Sequence, residues 1–277
     1  MSENIMRYLR TIFFSLILFA IYPVCSAFSA DIPAYLVGAW QVKSVHVNTG
    51  VGRTFAYQWD DPRLVGRIFR FENNAISDDA YQFDDKCESV NVESLDISFS
   101  DLLRRSLGGY VGQENDPVND YKLPMDGKGK YSAMTFRCKD GLWQGDLGNS
   151  LDHGIKGAWA VSMGNDLYLR WRDETILLLK RIDEHAKVNT SFDCSKATVS
   201  AEHTICGSYE RGALDISIHD AYMRLIRQIR DGGGNASDIS KGQRNWVAQR
   251  NACGVQSKCL GSVMRSRLEW LGDQLEE

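Results

Sequence analysis

Cysteine placement constrains this chain more than any other feature. Four of the seven cysteines, Cys194, Cys206, Cys253 and Cys259, fall in the last third, and only Cys87 and Cys138 lie between them and Cys25 near the N-terminus. Zinc-binding thiols come in pairs two to four residues apart, and no two of these cysteines have that spacing. Setting Cys25 aside leaves an even six. In an oxidising compartment an even count reads as three disulfides. Their uneven distribution is the first sign of a boundary within the chain.

The first thirty residues carry an export pattern. Arg7 and Arg10 precede a short apolar run from Ile12 to Tyr22, Pro23 breaks it, and small residues follow through Ala30. A basic start, a short apolar run and small residues at its end describe a secretion signal. The run is shorter than the roughly 20 residues a spanning helix needs. Cleavage is expected after Ala27 or Ala30, giving a periplasmic protein with no stable membrane span. Val24 precedes Cys25 where a lipid-anchoring site wants a small residue, which favours a soluble mature form.

A hydrophobic fraction of 43% excludes a disordered chain, and a net charge of −4 offers no basic excess for nucleic acid. With 277 residues there is room for one or two domains.

Between Leu36 and Ile182 apolar residues often alternate. The spacing predicts strands at Leu36–Val47, Leu64–Phe71, Tyr131–Cys138, Gly157–Met163, Asp166–Arg172 and Thr175–Ile182, with Gly164-Asn165 as a tight hairpin turn. A helix is expected over Phe99–Leu107, followed by a long polar loop to Lys130. Sequential short strands imply an antiparallel barrel or sandwich over residues 31–186. Cys87 and Cys138 are expected to pair within it. His46, His153 and His185 lack metal-site spacing, and Asp60-Asp61 and Asp84-Asp85 read as solvated turn carboxylates.

After Asp183 the period changes. Lys187–Ser191 reads as a linker. Leu214, Ile218, Ala221, Tyr222, Leu225 and Ile229 form a helical stripe, and Ile216, Met223 and Ile226 a second, which predicts a helix covered on more than one side. Gly232-Gly233-Gly234-Asn235 stops it. Further helices are expected at Ser200–Cys206, at Asp238–Ala252 and from about Leu260. Four cysteines allow three pairings. Folding the two longer helices into a hairpin brings Cys253 and Cys259 near Cys206, so bridges between the two ends of this region are expected. The whole chain is thus expected to be α+β: a signal peptide (1–30), an antiparallel β-barrel (31–186) and a disulfide-stapled helical domain (192–277).

Two resemblances extend this reading. Gly38-Ala39-Trp40, at the start of the first strand, resembles the Gly-x-Trp motif of lipocalin-like (calycin) barrels. That likeness implies a Trp40 capped by an Arg of the last strand, and Arg181 lies in that position. In the helical region, Phe192-Asp193-Cys194, Ile205-Cys206, Asp215, Tyr222, Gln243-Arg244-Asn245-Trp246, Arg250-Asn251-Ala252-Cys253 and Cys259-Leu260 resemble the LprI-type lysozyme inhibitor family in order and spacing. The likeness covers about 80 residues and includes all four cysteines; Ser200 stands where a Pro is common. It implies an envelope protein that binds a lysozyme or another muramidase, with Asp215, Tyr222, Gln243, Trp246 and Arg250 as structural or partner-binding positions. The exposed candidates are the Gly254–Lys258 loop and the Gly232–Asn235 turn. Residues 192–277 are neutral overall, so net charge alone would not draw a basic lysozyme to them.

Two alternatives remain open. One is a carrier of a small apolar ligand inside the barrel, which an internal cavity would favour and a filled interior would oppose. The other is an immunity protein against a secreted wall-degrading toxin. No Ser-His-Asp set, phosphate loop or metal spacing suggests an enzyme. No catalytic residue, metal or cofactor is expected.

Overall fold

The computed structural model describes residues 31–50, 56–80, 85–107, 116–145, 147, 154–183 and 185–276. Residues 1–30, where the export signal is expected, Asp84 and His153 lie outside this set. Ten strands come first: β1 (Gly38–His46), β2 (Ile68–Glu72), β3 (Ala75–Asp78), β4 (Asp85–Glu88), β5 (Asn91–Leu95), β6 (Ser132–Cys138), β7 (Gly141–Leu142), β8 (Trp159–Met163), β9 (Asp166–Arg170) and β10 (Ile176–Arg181). Two helices, α1 (Phe99–Ser106) and α2 (Pro117–Asp120), interrupt them after β5. A 3-10 turn at Cys194–Lys196 then leads into α3 (Ser200–Cys206), α4 (Tyr209–Asp231), α5 (Ser237–Ala252) and α6 (Ser257–Glu276).

All strand pairings are antiparallel, in the order β4-β3-β2-β1-β10-β9-β8-β6-β5, with β7 beside β6. The two ends of that order, β4 and β5, are separated in sequence only by Ser89 and Val90. The sheet therefore curls back on itself into a barrel-like wall. The Cys87–Cys138 disulfide (Cα–Cα 5.1 Å) and the Lys139 N–H donating to Glu88 O at 2.8 Å tie β4 to the end of β6.

Alternation decides which side chains face inward, because successive Cβ atoms point to opposite faces. Trp40 and Val42 of β1, Leu177 and Leu179 of β10, and Leu167 and Leu169 of β9 share one buried cluster. A bulge between Val42 and Ser44 adds a residue and brings Val45 into the same cluster. The interior is filled with aromatic rings. Phe69 meets Trp171 edge-on at 5.1 Å and Phe136 meets Trp143 at 5.4 Å, with Phe71 6.0 Å from Trp143. Such edge-to-face pairs add to the area they bury.

The opposite face of β6, β8, β9 and β10 is covered by α1 and by residues after α2. Trp159, Val161, Tyr168 and Ile176 pack against Phe99, Leu102, Leu103 and Tyr121. Ser98 caps α1, its hydroxyl accepting from the Asp101 N–H at 3.2 Å. Asp101 in the first turn and Arg104 and Arg105 in the last both suit the helix dipole. Residues 116–125 are not the polar loop expected from sequence. They form α2 and bury Val118, Tyr121, Leu123 and Met125.

In the helical region, Leu214, Ile218, Ala221 and Leu225 of α4 pack against Leu260, Met264, Leu268 and Leu271 of α6 and against Ala201 and Ile205 of α3. The other side of α4 meets the sheet: Ala213 packs on Ala39 and Ile68. The second apolar stripe expected of α4 is covered only in part: Ile226 is buried, Ile216 is half-buried and Met223 is exposed.

The disulfide expectation for the helical region is corrected. Cys194 pairs with Cys206 and Cys253 with Cys259, each bridge closing a short local loop. α4 and α5 are linked antiparallel through side chains, but α4 packs chiefly along α6, α3 bears on both α4 and α5, and the local partners are already within bridging distance (Cα–Cα 5.9 and 5.6 Å).

Candidate functional site

The five positions that carry the helical resemblance join one helix to another. Arg250 of α5 is the hub. Its Nη1 lies 3.4 Å from Oδ1 of Asp215 on α4, and its Nη2 lies 3.7 Å from Oε1 of Glu202 on α3. The guanidinium also sits 5.6 Å from the Trp246 ring centre and 5.9 Å from that of Phe192. The second oxygen of Asp215 accepts the Ser191 N–H at 2.7 Å, which anchors the incoming linker. Asp215 and Arg250 are both buried. A charge at such depth needs partners, and this cluster supplies them.

The other three positions act in the same way. Trp246 Nε1 donates to Val263 O of α6 at 3.2 Å, and the Tyr222 hydroxyl lies 3.3 Å from Ser240 Oγ of α5. Gln243 Oε1 accepts from Arg267 Nε of α6 at 3.0 Å; burial pulls the Arg267 guanidinium below its usual range. His219, one turn after Asp215, is exposed and takes no part, because Asp215 faces inward.

Groups that project are found elsewhere. Cys253 is buried, but the residues after it bulge outward before α6 begins, and Val255 is 72% exposed. Gly254 turns the chain there with φ +56°, and the Cys253–Cys259 bridge holds the base of the loop. Trp270 is 38% exposed on α6, with the Arg267 guanidinium 4.4 Å from its ring centre. In the turn between α4 and α5, Asn235 Oδ1 accepts the Ser237 N–H at 2.9 Å.

At the mouth of the sheet, Trp40 and Arg181 are cross-strand partners. The Arg181 guanidinium lies 4.4 Å from the Trp40 ring centre and donates to the carbonyls of Tyr35 and Val37. Trp40 Nε1 donates to Leu36 O at 2.8 Å. Gly38 makes room: its φ is +129°, and a Cβ there would lie 2.4 Å from Arg181 Nη1. Gly38→Ala is therefore expected to cost about 1–3 kcal/mol through backbone strain and displacement of Arg181. A melting curve in which Gly38→Ala matches the parent would count against this cap.

The seam between the sheet and α4 holds charges that sequence reading missed. Arg67 is fully buried; its Nη2 donates to Ser217 Oγ of α4 at 2.9 Å, and its Nη1 lies 3.6 Å from Asp79 Oδ2. Burial pushes Arg67 down to about 10, opposed by the Asp79 charge. Burial likewise pushes the Asp79 carboxyl up, opposed by Arg67 and by the Ile68 N–H. Arg70 forks onto Glu210 of α4 at 2.6 and 3.1 Å, and this contact keeps Glu210 below the usual carboxylate range despite burial. Asp61 departs from the solvated reading: it is buried and accepts both Nε and Nη2 of Arg63, at 2.9 and 2.6 Å. His46 is also buried, edge-on to Trp59 at 4.8 Å with Nδ1 2.9 Å from Tyr121 O, and burial lowers its basicity. His185 lies apart from it, on the exposed segment after β10.

Among the described residues no helix is long and apolar enough to cross a membrane. No family model, curated protein or solved structure matches the chain.

Proposed function

We propose that this is an exported periplasmic protein that binds and inhibits lysozyme or another muramidase through its disulfide-bonded helical segment, by occlusion rather than by chemistry of its own. The observation that carries this reading is the helical frame. Asp215, Tyr222, Gln243, Trp246 and Arg250, the positions of the family resemblance, each tie two helices together. The resemblance thus falls on residues with a shared structural task, and the frame holds a bridged loop at its edge. Three disulfides suit an oxidising compartment.

Muramidases cleave between two carboxylates in a cleft. The bridged segment 254–258 offers such a site an apolar tip, Val255, in the turn before α6, and a cation, Lys258, in the first turn of α6. Its bridge limits the entropy lost on binding. The apolar and aromatic packing of the sheet interior among the described residues argues against a ligand carried within it.

The test is hydrolysis of cell walls by several lysozyme types with the oxidised full chain added. Stoichiometric inhibition is expected from the parent, and Val255→Glu is expected to weaken it by about tenfold or more, roughly 1.4 kcal/mol. No inhibition by the parent against any type would overturn the function. Unchanged inhibition by Val255→Glu would move the contact off the loop.

A further inference from the structure

The sheet interior is filled, but a groove of about 800 Å³ runs along the outside, between β1 and α4. Its size is within the range of small-molecule sites, and seams between packed units are where such sites concentrate. The apolar part of its lining includes Val65, Ile182, Ala213 and Ile216. On the α4 side its lining includes Met223, which is 36% exposed.

The charges around it are not balanced locally. Lys43, Lys187, Arg224 and Arg227 face three carboxylates, Asp60, Asp183 and Asp220. Two of those carboxylates already accept backbone N–H groups: Asp60 from Val45 at 3.0 Å and Asp183 from His185 at 2.9 Å. Lys43 donates to an amide oxygen, that of Gln41, and Arg224 to the amide oxygen of Gln58 at 3.2 Å. Among the described residues no carboxylate lies within ion-pair distance of Lys43 or Arg227. Lys43 is exposed, yet the groove walls partly desolvate its ammonium and lower it from its ordinary range, a cost that an incoming anion would offset.

An apolar lining beside cations that lack a carboxylate partner suits an anion with an apolar body. We propose that the groove binds a single-chain anionic amphiphile of the fatty-carboxylate class, with its chain against Val65, Ala213 and Ile216 and its head group drawn to Lys43 and Arg227. A neutral chain would gain the apolar contact and miss the charge. This site is independent of the muramidase reading, because it involves neither the Gly254–Lys258 loop nor α6.

The test uses the oxidised full chain and an anionic fluorescent reporter, 1-anilinonaphthalene-8-sulfonate, displaced by dodecanoate or by dodecanol. Dodecanoate is expected to displace the reporter, and dodecanol to do so at least about tenfold less well. The double variant Lys43→Glu/Arg227→Glu changes two surface side chains and is expected to keep the parent's melting temperature. It should weaken both reporter and dodecanoate binding by about tenfold or more, while Lys130→Glu, a reversal of an exposed charge outside the groove lining, should change neither. Equal potency of dodecanol and dodecanoate would overturn the proposal. So would parent-like dodecanoate binding in the double variant, or an equal loss in Lys130→Glu.

Discussion

Replacing Cys87 and Cys138 together with alanine is expected to lower the stability of the oxidised protein by about 4 kcal/mol, the largest loss among its three bridges. The ranking follows from loop closure. A cross-link removes chain entropy from the unfolded state in proportion to the logarithm of the loop it closes. The three bridges span 51, 12 and 6 residues. The corresponding contributions are about 4, 3 and 2 kcal/mol. Native geometry points the same way. The Cys87–Cys138 bridge holds the bent β4–β5 segment against the end of β6, beside the Lys139–Glu88 hydrogen bond. Cys253–Cys259 closes a single turn between two helices that also pack through Leu260 and Trp246. Urea unfolding followed by tryptophan fluorescence would measure all three double-alanine variants. A loss for Cys253→Ala/Cys259→Ala equal to or above that for Cys87→Ala/Cys138→Ala would refute the ranking.

What the sequence made legible follows from where apolar residues are patterned. β1, β6, β8, β9 and β10 stand out because each carries an apolar run bounded by turn signals; β8, β9 and β10 are buried on both faces, so their runs are nearly continuous rather than alternating. The stripe of α4 is visible through its period of 3.6. The short strands β3, β4 and β5 escape notice. They have four or five residues each, and Asp78, Lys86, Glu88 and Glu93 interrupt their apolar pattern. Leu64–Arg67 looks like the start of β2 but forms a turn, with Asp61 accepting the Arg63 N–H at 2.8 Å and Gly66 at φ +87°. Side-chain hydrogen bonds of this kind redirect the backbone without altering the hydrophobic period. The seam is hidden for a related reason. Arg67 and Asp79 are buried by a helix that begins some 140 residues later, and a buried arginine resembles an exposed one in sequence. The Asp215–Arg250 pair was within reach because both residues lie on helices whose hairpin could be inferred. The pairing of Cys194 with Cys206 was not, because the hairpin argument says nothing of where α3 crosses.

Arg250→Ala is expected to destabilise the helical segment by about 3–5 kcal/mol, the range for breaking one side of a buried ion pair. The argument rests on what is left behind. Without the guanidinium, Asp215 stays buried with, among the described residues, only the Ser191 N–H as donor, and Glu202 loses its cation. The ring faces of Phe192 and Trp246 lose a contact as well. The reverse truncation is gentler. In Asp215→Ala the guanidinium keeps Glu202 and the Asn251 side chain, whose Oδ1 accepts from Nε and Nη2 at 3.1 and 2.9 Å. The loss should therefore be smaller for Asp215→Ala than for Arg250→Ala. The double variant should fall short of the sum by about 1–3 kcal/mol, the coupling expected of groups in contact. Equal single losses that simply add would mean that the two side chains act independently. The same variants separate frame from contact surface. Arg250 lies three residues before Cys253, so loosening α5 loosens the base of the Gly254–Lys258 loop. Arg250→Ala should then lose stability and muramidase inhibition together, whereas Val255→Glu should lose inhibition at an unchanged melting temperature. Full inhibition by a destabilised Arg250→Ala chain would place the contact on a part of the molecule that α5 does not hold.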